Sequence, residues 1–87
     1  MHKQILEAIK YTFESRFVKA KENLTSYTET SFHFEFKIEN TLCNLIQLHS
    51  ALEILIASFK FGKLKVNWAV ETIENESDLL FSITIYA

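Results

Sequence analysis

Phe32-His33-Phe34-Glu35-Phe36-Lys37-Ile38 alternates large apolar and polar side chains without a break. Successive side chains of a strand point to opposite faces, so this stretch makes one greasy face and one wetter face. The same rhythm recurs twice. Leu64, Val66, Trp68 and Val70 are separated by Lys65, Asn67 and Ala69, and Leu79, Phe81, Ile83 and Ile85 by Leu80, Ser82 and Thr84. Three half-buried strands are expected, with Trp68 pointing inward beside the phenylalanines.

Two helical patterns supply a cover for the greasy face. Ile5, Leu6, Ile9, Phe13, Phe17, Ala20 and Leu24 recur at spacings of three and four, which predicts a first helix from about Gln4 to Leu24. The Ser/Thr-rich stretch Thr25–Thr30 reads as a loop, leading into a strand over Glu29–Ile38. Asn40 is a good N-cap for a second helix over Thr41–Phe61, and Gly62 is a good stop. Strands over Lys63–Glu71 and Leu79–Tyr86 follow, joined by a polar turn, Thr72–Asp78.

The chain therefore reads as one α+β domain over residues 1–87, a two-layer sandwich of order α-β-α-β-β. The second helix returns the chain to where the first strand began, so the first and second strands run the same way. The body of the third strand carries no charge, whereas the other two carry Glu35, Lys37, Lys63, Lys65 and Glu71. Edge strands tend to carry charge. A three-stranded antiparallel sheet of order 1-3-2 is expected, with a right-handed crossover and both helices on one face.

Composition narrows the function classes. Hydrophobic residues are 48% of the chain and charged residues 23%, enough apolar matter to fold rather than stay disordered. A domain this small has a small core, so further burial in a complex would stabilise it. Nine Lys and Arg stand against eleven acids, and Arg16 is the single arginine, so nucleic-acid binding is not expected. Thr41–Phe61 is the only membrane candidate, and Asn44, Gln47, His49, Ser50, Glu53, Ser58 and Lys60 make it too polar to span. Cys43 is alone and Met1–Lys10 is no signal peptide, so a cytoplasmic protein is expected. Asn23-Leu24-Thr25 and Asn75-Glu76-Ser77 are then chance matches to the glycosylation pattern.

No spacing predicts catalysis. His2, His33 and His49 have no partner at ligand spacing, so neither a metal nor another cofactor is expected. One glycine in the whole chain excludes a phosphate-binding loop. Cys43 falls on an apolar line and reads as a packed thiol. Glu71, Glu74, Glu76 and Asp78 read as a solvated hairpin end.

The second helix carries more apolar surface than a cover needs. Leu45, Leu48, Leu52, Leu55, Ile56 and Phe59 form the stripe expected on the sheet. Cys43, Ile46, Ile54, Ala57 and Phe61, with Ser50 between, form a second line on another face. A helix apolar on two faces is buried on two faces. The cover for the second line is either the first helix or a partner. The uncovered sheet face is the other candidate surface, with His33, Glu35, Lys37, Lys65, Asn67 and Tyr86. A non-catalytic module that binds another protein is the expected function, as an inhibitor, immunity protein, phage or regulatory factor. A homodimer through the second helix or a sheet edge is one form of it. The alternative is a small enzyme or ligand-binding protein whose pocket forms at a dimer interface around His33 or His49.

Overall fold

The computed structural model describes residues 3–59 and 64–86, with Ile5 and Phe59 described by their backbone alone. The expected termination at Gly62 and the contribution of Phe61 lie outside the described residues. The element order is α1 (Lys3–Glu14), a 3₁₀ turn (Val18–Lys21), β1 (Asn23–Tyr27), β2 (Ser31–Ile38), α2 (Leu42–Phe59), β3 (Lys65–Thr72) and β4 (Leu79–Tyr86). The class is α+β, with a four-stranded, fully antiparallel sheet of order β1-β2-β4-β3.

The three strands read from alternation lie in the expected order, with β4 between β2 and β3. The three-strand count is corrected by β1, which pairs with the other side of β2. β2 is therefore an interior strand, not an edge. Its charges, Glu35 and Lys37, sit on the wet face, and charge there does not require an edge. Thr28 builds the connecting turn. Its backbone N–H donates to the Ser31 carbonyl at 2.8 Å, and its Oγ1 accepts from the amides of Thr30 and Ser31 at 3.2 and 3.1 Å.

The first helix ends at Glu14, ten residues before the expected Leu24. Arg16 and Ser15 both donate to the Thr12 carbonyl, at 2.8 and 3.2 Å, satisfying an acceptor of the last turn. Phe17 is then extended, and the 3₁₀ turn follows. Phe13, Phe17 and Ala20 are all buried across this break, so the apolar spacing runs on although the helix does not. Leu24, counted in the helical stripe, is exposed on β1. The cap of α2 also moves by one residue. Thr41 Oγ1, not Asn40, accepts from a free first-turn amide, that of Asn44, at 3.2 Å.

The core lies between the helices and the sheet. Leu6, Ile9 and Phe13 of α1 and Leu48, Ala51, Leu52 and Leu55 of α2 are buried with Phe32, Phe34, Phe36 and Ile38 of β2 and Phe81, Ile83 and Ile85 of β4. Phe13 is the hub, with ring centroids 5.2 Å from Phe81, 5.8 Å from Phe36 and 5.9 Å from Phe34. Trp68 corrects the expectation of a fully interior ring. It shares the core face with Phe34 and Phe81 but is half exposed, because β3 is the sheet's edge.

Candidate protein-binding surfaces

At 3.6 residues per turn each helical residue advances about 100°. Leu48, Ala51, Leu52 and Leu55 then define the inward direction of α2, and Cys43, Ile46, Ser50, Ile54 and Ala57 centre on the direction diametrically opposite. All five are exposed, with Ile46 at 57% and Ile54 at 53%. Packing of the first helix along this line is thereby overturned, because α1 lies over the sheet beside α2. Cys43 is an exposed free thiol rather than a packed one. Ile56, expected on the sheet side, is also largely exposed, and Leu42 more so. Leu45 is half-buried.

The outward half of α2 is nearly uncharged. Glu53 is the single formally charged side chain between Leu42 and Phe59, and its Oε1 lies 2.9 Å from His49 Nε2 one turn earlier. Ser58 turns its hydroxyl onto the Ile54 carbonyl at 2.8 Å, so it presents no free donor. The face is an aliphatic strip with a thin polar margin.

The second candidate surface is the sheet face that no helix covers. The register places Ser26, His33, Thr84 and Asn67 in one row across four strands, and Leu24, Glu35, Ser82 and Ala69 in the next. Lys37, Lys65 and Tyr86 share this face. Six of the residues singled out in the sequence, His33, Glu35, Lys37, Lys65, Asn67 and Tyr86, are thus on one layer. Cys43, Ile46, Ile54 and Ala57 are on the other.

His33 is the centre of the sheet row. Its Nδ1 lies 2.8 Å from Thr84 Oγ1, and its Nε2 lies 3.4 Å from Glu35 Oε2. Hydroxyl, imidazole and carboxylate in line have the order of a nucleophile, its base and an orienting group. Between Phe32 and Phe36, β2 is paired with both β1 and β4, so the backbone beside His33 is engaged in the sheet ladder. Asn67 Nδ2 donates to the Tyr86 hydroxyl at 3.1 Å, closing the other side of the row.

The acidic hairpin end proves to be a clamp. Asp78 accepts from Lys19 of the 3₁₀ turn, and Glu76 from Lys37 of β2 at 2.6 Å. Glu39 lies 3.9 Å from the same Lys19 ammonium. The hydrogen bond to Asp78 raises the Lys19 pKa above the usual lysine value; desolvation opposes it, and the charges of Asp78, Glu39 and Glu22 add to it. Shallow depressions around Lys19 and Lys37 are bridged by these pairs. The described residues bring no three of His, Cys, Asp or Glu together as a metal ligand set. No helix among them is long and apolar enough to cross a membrane.

No protein-family model, no curated protein and no solved structure matches the chain. The two surfaces are therefore weighed by their chemistry alone.

Proposed function

We propose that this protein acts by associating with another protein, without catalysis, through the outward face of α2. The observation that carries this reading is the line Cys43, Ile46, Ser50, Ile54 and Ala57, exposed on the side of the helix facing away from the core. Single exposed aliphatics are ordinary, but a contiguous strip is the usual mark of a contact surface. Its margin is polar and its centre lacks charge, the anatomy of an interface core with a rim. The open sheet face is mixed in polarity, and its charges are partly spent on neighbours such as Glu76.

The test is site-specific photocrosslinking in the native host. A photoreactive residue placed at Ile54 is expected to give an adduct that Ile46→Asp in the same chain abolishes. A photoreactive residue at Lys65, on the opposite layer, is expected to give none. Adducts from position 65 and none from position 54 would overturn the reading.

A ligand site completed by a second subunit is the competing reading, and the Thr84–His33–Glu35 row is what favours it. His33→Ala separates the two. It removes a ligand site on the sheet and leaves association through α2 intact.

A further inference from the structure

The outward line of α2 has a pattern that a general apolar strip does not need. Among the described residues it is nearly symmetric about Ser50. Four residues to either side stand Ile46 and Ile54, and seven to either side stand Cys43 and Ala57. Reading outward in both directions, the order is small, large, small. Turned about a two-fold axis, such a line brings residues of matched size level with one another, which suits an isologous contact. We propose that α2 pairs antiparallel with α2 of a second copy of this chain, with the two-fold axis passing beside Ser50. This rests on the reading that α2's outward face binds protein, and it names the partner.

The geometry of such a pair follows from the rise of about 1.5 Å per residue. Residues equally far from Ser50 on opposite sides come level across the interface. Ile46 comes level with Ile54 of the second copy, and Cys43 with the second copy's Ala57. Ile46 and Ile54 lie about 40° to either side of the line's centre, so they pass side by side rather than colliding. The two Ser50 residues meet at the axis, and their small side chains let the helices approach closely. The two isoleucine pairs thus flank the Ser50 contact on either side along the axis.

Charge fits the same arrangement. In an antiparallel pair the same flank of both helices lies together. Glu53 is then about 3 Å along the axis from the second copy's His49, and about 9 Å from the second copy's Glu53. His49 is already an acceptable neighbour for this carboxylate, since it contacts Glu53 at 2.9 Å within one chain. The other flank holds Gln47 and Ser58, both uncharged. No like charges are forced together.

Area sets the strength. A helix of 18 residues is about 27 Å long and 10–12 Å wide, so two copies cover on the order of 600 Å² along the strip. That is below the roughly 1,200 Å² of a standard stable interface. A weak, reversible dimer is expected.

The test combines sedimentation with cysteine placement in the full chain. The average sedimenting mass of wild type is expected to rise toward that of a dimer between about 10 μM and 1 mM. Ile46→Asp is expected to raise the dissociation constant at least about a hundredfold, with an unchanged circular dichroism spectrum, because Ile46 is exposed. Cys43→Ser combined with Ser50→Cys should form a disulfide dimer under mild oxidation. Wild type should not, since antiparallel pairing holds the two Cys43 thiols about 21 Å apart along the axis. Cys43 with Ala57→Cys should cross-link. A wild type monomeric at 1 mM, or ready Cys43–Cys43 cross-linking without cross-linking at position 50, overturns the proposal. If wild type stays monomeric while a photoreactive residue at position 54 still captures a different protein, self-pairing fails and association through α2 stands. If position 54 captures nothing either, both fail.

Discussion

Trp68 stands directly across from Ile83 in the β3–β4 pair, yet Ile83 is fully buried and Trp68 is 50% exposed. The two side chains share one sheet face and differ only in how far they sit from its edge. The helices cover the middle of the sheet, β2 and β4, and leave β3 partly bare. Trp68 is the one tryptophan, so emission reports it alone. Acrylamide is expected to quench that emission readily in the native state. Trp68→Ala should cost about 1–2 kcal/mol, less than the 2–5 kcal/mol expected for Ile83→Ala, by urea denaturation.

Phe13 touches three strand phenylalanines at once, so its removal leaves a cavity that no single neighbour can fill. Phe13→Ala is expected to cost about 3–5 kcal/mol. A domain of this length has on the order of 4–13 kcal/mol in total, so this change alone brings the chain near its unfolding threshold. Phe13→Leu, which keeps most of the volume, should cost less than half as much in the same denaturation experiment.

Thr28 satisfies two turn amides and faces the Ser31 hydroxyl at 2.9 Å. Thr28→Ala is expected to cost about 1 kcal/mol and to lower hydrogen-exchange protection along β1 before the rest of the sheet. Thr28→Ser keeps the acceptor and should restore both.

The Lys19–Asp78 pair should show itself at alkaline pH. Its folded pKa is raised, first by the hydrogen bond to Asp78. A lysine held above its ordinary value stabilises the fold while protonated in both states, and the contribution disappears as pH rises through the folded value. The melting temperatures of wild type and Lys19→Met are expected to differ between pH 7 and 9 and to converge only as pH rises through the raised folded value, above the ordinary lysine value of 10.5. A constant gap across that range would show that the methylene stem, not the charge, is what matters.

What the chain reveals in advance depends on where burial is one-sided. β2 and β4 alternate cleanly because one face is core and the other is solvent; charge correctly put β4 between β2 and β3 but wrongly made β2 an edge, since its charges mark the wet face. β1 was unreadable because neither of its faces is deeply buried: Leu24, Ser26 and Tyr27 are exposed, and Asn23 and Thr25 are half-buried. The end of α1 was hidden for the opposite reason. Phe13, Phe17 and Ala20 keep a helical spacing through a 3₁₀ turn, and no glycine or proline marks the break. The double apolar character of α2 was legible, since it needs only the helical period. What covers its outer line was not, because periodicity describes one helix and not its neighbour. The His33–Thr84 contact and the Lys19–Asp78 pair join residues 51 and 59 positions apart, and only strand order brings them together.

β4, hydrogen-bonded to β2 on one side and β3 on the other, follows both of them in the chain. Until β4 has emerged, β2 and β3 have no bridge, and Phe32, Phe34 and Phe36 lack the β4 neighbours they pack with. A nascent chain therefore carries an adhesive, half-built layer while β4 is still unmade. Its yield in a cell should depend on chaperone supply more steeply than its finished stability suggests.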